Sequence, residues 1–76
     1  MNRADATDLA TRLDQAAADK ADAARSGRAF AADPANSDLS RRQAAAAVPI
    51  LLGQARDMRA DAAAIRDGAN PTALGY

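Results

Sequence analysis

Seventy-six residues carrying ten basic and ten acidic side chains make one domain, residues 1–76, near the lower size limit at which a lone apolar core can hold a chain together. Cysteine and histidine are both absent, which removes any disulfide framework, the thiolate metal sites, the commonest general base and the commonest nitrogen ligand. The first twenty residues are charged throughout, and the longest apolar run, Ala44 to Leu52, is too short to cross a bilayer. The expectation is a chain made in the cytoplasm, with no signal peptide and no membrane span.

Alanine accounts for 24 of the 76 residues, and each contributes only a methyl group to burial. Alanine has the highest helix propensity, so the fold class reads as all-α. The same composition leaves few large apolar side chains, and a helical monomer built from them has a thin core. With no covalent staple, oligomerisation or a partner is the expected source of added stability.

The first predicted helix runs from about Ala4 to Ala32, with Asn2 as its cap and Asp5 and Asp8 near its positive end. Arg25 and Arg28 suit the other end. At about 100° per residue, Ala6, Leu9, Leu13, Ala16, Ala17 and Ala24 share one face with Gly27 and Ala31. Ala23 and Phe30 stand at its margin, and Lys20 interrupts it. A face this small in bulk lets a neighbouring helix approach closely, while Lys20 lays its stem along the seam.

Asp33-Pro34-Ala35-Asn36-Ser37 is the one clear break, a turn between antiparallel helices. Proline lacks the N–H and biases its predecessor away from helix, and Asn36, Ser37 and Asp38 are all capping types. The second helix is predicted from Asp38 to Asp67, with Ser40 and Gln43 as a capping box and Gly68 as the residue that ends it. Its charge-free face is Ala44, Ala47, Leu51, Ala55, Met58, Ala62 and Ile65. Val48, Ile50 and Leu52 then fall outside that face, so one stretch is apolar all round. Two explanations are open: a partner covers it, or Pro49 kinks the helix and rotates Val48 and Leu52 inward. The architecture is therefore an antiparallel helical hairpin, about 40 Å long, kinked near Pro49 and oligomeric. The alternative is a three-helix bundle in which Pro49 ends one helix and starts the next. A tail, residues 68–76, follows; its Leu74 and Tyr76 are expected to dock on a neighbouring subunit or to fold back over the hairpin.

The residues nominate no catalytic, cofactor-binding or metal site. Asp57 and Asp61 lie one helical turn apart, but solvent and the nearby Arg56 and Arg59 explain them without a cation. Asp8 with Arg12, Asp22 with Arg25, and Asp38 with Arg42 read as surface ion pairs. Arg41, Arg59 and Arg66 form a stripe suited to an acidic protein surface or to phosphates; the neutral net charge and the lack of stacking aromatics weigh against nucleic acid.

The functional expectation is a non-catalytic structural or interaction protein. It would pack into a larger assembly, a bacteriophage particle being one of that character, through Val48, Ile50, Leu52, Leu74 and Tyr76. Its partner is another copy of itself or a second protein. The alternatives are a helical regulator or inhibitor of one protein, and a nucleic-acid accessory protein that uses the arginine stripe.

Overall fold

Asn2 starts the first helix: its side-chain oxygen accepts the Asp5 N–H at 2.9 Å, answering one of the donors that a helix start leaves open. The computed structural model describes residues 2–76. Helix α1 spans Arg3–Ala32. Thr7 and Thr11 return their hydroxyls to the Arg3 and Thr7 carbonyls, so the two β-branched polar residues are satisfied inside the helix.

The turn is held by its own short side chains. Asp33 accepts the Ala35 N–H through its carboxylate at 2.9 Å and the Asn36 N–H through its carbonyl at 3.1 Å, the local bonding that makes aspartate a turn residue. The last carbonyls of α1 find partners across the turn. Asn36 Nδ2 donates to Phe30 O at 3.1 Å, and Arg41 Nε donates to Ala31 O at 2.8 Å. Arg25 and Arg28, expected to serve that end, lie upstream of the last turn, which holds no basic residue.

Helix α2 spans Asp38–Arg66, and Ser37 is its cap, accepting the Ser40 N–H at 3.2 Å. The expected Ser40 and Gln43 box is replaced by a pairing of the Ser37 and Ser40 hydroxyls at 2.9 Å. The helix runs unbroken through Pro49, so the hairpin forms and the three-helix alternative does not. Proline still removes the donor that would serve the Ala45 carbonyl. Gly68, at φ +103°, ends α2. The Gly68 N–H reaches Ile65 O at 3.1 Å and the Ala69 N–H reaches Ala64 O at 2.9 Å, the paired closure for which a left-handed glycine is suited.

The helices pack along an antiparallel seam in a rod of 50 × 17 × 14 Å. On α1 the buried positions are Ala6, Ala10, Leu13, Ala17 and Ala24; on α2 they are Val48, Ala55, Ala62 and Ile65. These positions, with the half-buried Lys20 on α1 and Ala44, Leu51 and Met58 on α2, repeat at spacings of three and four, the period of two helices that keep one seam together. The close approach at Gly27 and Val48 fixes the register, and counting away from it in opposite directions sets small against large. Ala24 falls across from Leu51, Ala17 from Met58, Leu13 from Ala62 and Ala10 from Ile65. Ala6, Ala10, Leu13, Ala62 and Ile65 form the main apolar cluster, with Leu9 and Met58 packed on it.

Past Gly68 the chain folds back. Pro71 is buried beside Asn2, Arg3, Ala6 and Ile65, and the 3₁₀ turn Pro71–Leu74 closes at Gly75. The Tyr76 hydroxyl then donates to Asp61 Oδ2 at 2.7 Å. Of the two courses open to the tail, the structure shows the return onto the hairpin.

Candidate interaction surface

The outward side of α2 lies half a turn from the seam. Leu39, Ala46, Gly53 and Ala60 recur along it at intervals of seven, with Pro49 and Ile50 between them. No charged residue occurs from Gln43 to Ala55. Ile50 is 62% exposed and Leu39 61%, while Ala45, Ala46, Ala47 and Pro49 are exposed as well. The corresponding outward positions of α1 are Asp8, Gln15 and Asp22, followed by Ala29. One helix thus turns charge and amide to water and the other turns aliphatic carbon to it. A contiguous apolar patch carries more information than scattered apolar residues.

The expected interface residues separate into three groups. Val48 is corrected: at 7% exposure it belongs to the intramolecular seam against Gly27, where the seven-residue column Arg41, Val48, Ala55, Ala62 carries it. Ala47, expected on the seam, is exposed instead. Ile50 stands on the outward face, and Leu52, 36% exposed, on one flank. Leu74 and Tyr76 lie with the returning tail at the far end of the rod, Tyr76 being bound to Asp61, eleven residues or about 16 Å of helix from Ile50. Leu39 and Phe30 were missed. Leu39 was legible in the recurrence with Ala46, Gly53 and Ala60, whereas Phe30, at the margin of the α1 face, is 43% exposed next to the turn.

The arginines are largely occupied by the fold. Arg41 is half-buried and bonded to Ala31 O, with Asp38 at 3.9 Å, so Asp38 pairs with Arg41 in place of Arg42. Arg66 pairs with Asp14 across the seam, and its carbonyl accepts from Arg3 Nη2 at 2.9 Å. Among the described residues Arg59 has no ion pair, which leaves it alone of the three uncommitted. Asp22 and Arg25 pair as expected. Asp61, one of the two carboxylates a turn apart, accepts the Tyr76 hydroxyl; this hydrogen bond, then burial and the carboxylate's charge, raise the tyrosine above its ordinary pKa.

Among the described residues no cluster of three metal-ligating side chains occurs, and no helix is long and apolar enough to cross a membrane. Comparison with protein families, with curated proteins and with solved structures found no match to this chain.

Proposed function

We propose that the protein is a non-catalytic helical interaction subunit that enters a larger assembly through the outward face of α2. A virus particle such as that of a bacteriophage is an assembly of this kind. The observation that supports the reading is the charge-free stretch from Gln43 to Ala55, with Ile50 62% exposed in its middle. Leaving an aliphatic side chain of that size in water forgoes roughly 1.5–3 kcal/mol of burial, and a partner that covers the face recovers it. Recognition through the arginine stripe has less support, because Arg41 and Arg66 already bond within the hairpin.

The test is a photo-reactive amino acid at position 50, with position 22 on the outward side of α1 as control, in cells that make the protein. A protein adduct at position 50 that is lacking at position 22 is the expected result. Equal labelling at both positions, or none at either, overturns the reading.

A further inference from the structure

We infer that the occupant of this face is a second copy of the chain, with the two α2 helices parallel and related by a two-fold axis along the rod. The inference rests on the preceding reading of the outward face and adds the partner and its direction. Ile50 and Asp57 lie toward one edge of the face, and Pro49 and Arg56 toward the other. A two-fold axis parallel to the helices brings unlike edges together at equal height. Ile50 then meets the copy's Pro49, and Asp57 meets the copy's Arg56, twice over by symmetry. Within one chain the Arg56 and Asp57 side chains form only a loose contact, 3.7 Å and open to water, so both groups retain capacity for a partner.

The reverse orientation matches like edges. An antiparallel pair centred on Pro49, the midpoint of the charge-free stretch, sets Arg42 against Arg56 of the copy on one edge, and sliding the register to relieve this carries Asp57 toward Ile50. Like charges placed together select against a pairing as strongly as good contacts select for one. Between the edges, Ala46, Gly53 and Ala60 leave room for the backbones to approach. A methyl group added at Gly53 would meet only the far end of Arg56, at 3.8 Å, so the hairpin itself does not need that glycine.

The experiment uses sedimentation velocity of the full chain over a micromolar series, with helicity followed by circular dichroism. The wild-type chain is expected to dimerise. Asp57→Arg and Arg56→Asp each weaken association by about tenfold at low salt, since each places like charges across both edges. Mixing the two variants restores it, because two arginines on one chain then face two aspartates on the other. The cysteine-free sequence gives an independent reading of direction: Ala60→Cys oxidises to a disulfide-linked dimer when the helices are parallel. An antiparallel pair centred on Pro49 holds the two positions about 30 Å apart.

A chain that stays monomeric, a mixture that fails to recover, or a dimer in which Ala60→Cys does not cross-link overturns the inference. A monomer whose position 50 cross-links to a different protein overturns the second copy while leaving the interaction face standing. Absence of any adduct removes both.

Discussion

Val48 occupies the space that a side chain on Gly27 would need: a methyl group at position 27 would stand 3.2 Å from Val48 Cγ2 and 3.5 Å from the Ala44 carbonyl oxygen. The two helices interlock here, and a β-branched residue in a helix has little χ1 freedom with which to yield. Gly27→Leu is therefore expected to cost about 1–3 kcal/mol by overpacking, read as a lower midpoint in thermal circular dichroism. Gly27→Leu combined with Val48→Ala should recover part of that loss. An unchanged midpoint for the single variant would show that the seam opens freely.

Two other glycines give opposite signs. Gly53→Ala places a methyl group in open space beside a flexible arginine tip and should stabilise the hairpin by about 0.5–1 kcal/mol. The measurement belongs at low protein concentration, so that association does not contribute. Gly68→Ala forces a side chain into φ +103° and should destabilise by roughly 1–2 kcal/mol. Urea midpoints of the pair, measured together, check the contrast.

Arg41 closes α1 with a planar group: its Nε donates to Ala31 O while the side chain is half-buried. A lysine lacks that geometry. Arg41→Lys is expected to lose most of what Arg41→Ala loses, about 1 kcal/mol, and to show as faster amide exchange in the last turn of α1. Full rescue by lysine would mean that charge alone matters.

The hydrogen bond from Tyr76 to Asp61 makes the end of the fold sensitive to alkali. Its tyrosine titrates above the ordinary value of 10.0 when folded, so folding favours the protonated phenol. The stabilisation is complete below pH 10 and is lost as pH rises through the folded value. Tyr76→Phe should remove that alkaline component, leaving the urea midpoint near neutrality only slightly lower. An alkaline slope identical in wild type and variant would assign it elsewhere.

The features legible in the sequence are those set by one residue and its immediate neighbours. Asn2, the Asp33 to Ser37 break and Gly68 each act through local bonding, and they place the ends of both helices to within a residue. The phase of α2 was harder to read. Counting at a fixed angle per residue puts Ala47 and Val48 on either side of the boundary; two helices that stay in contact follow a strict seven-residue repeat, and this brings in Val48 and leaves out Ala47. Ser37 in place of Ser40 as the cap, and Arg41 in place of Arg42 beside Asp38, were choices between residues of equal propensity that the turn geometry decides. The outward face of α2 was half legible: the all-round apolar stretch marked it and Leu39 recurs with Ala46, Gly53 and Ala60, but that this column faces away from α1 follows only from the side the seam takes.

The methyl-lined seam has a calorimetric consequence. Heat capacity on unfolding follows the apolar surface newly exposed to water, commonly about 12–15 cal/mol/K per residue. A rod whose buried residues include Ala6, Ala10, Ala17, Ala24, Ala55 and Ala62 exposes less, because those side chains carry little surface to begin with. Its stability curve is correspondingly flat, with a weak dependence on temperature on either side of the maximum and a shallow response to urea.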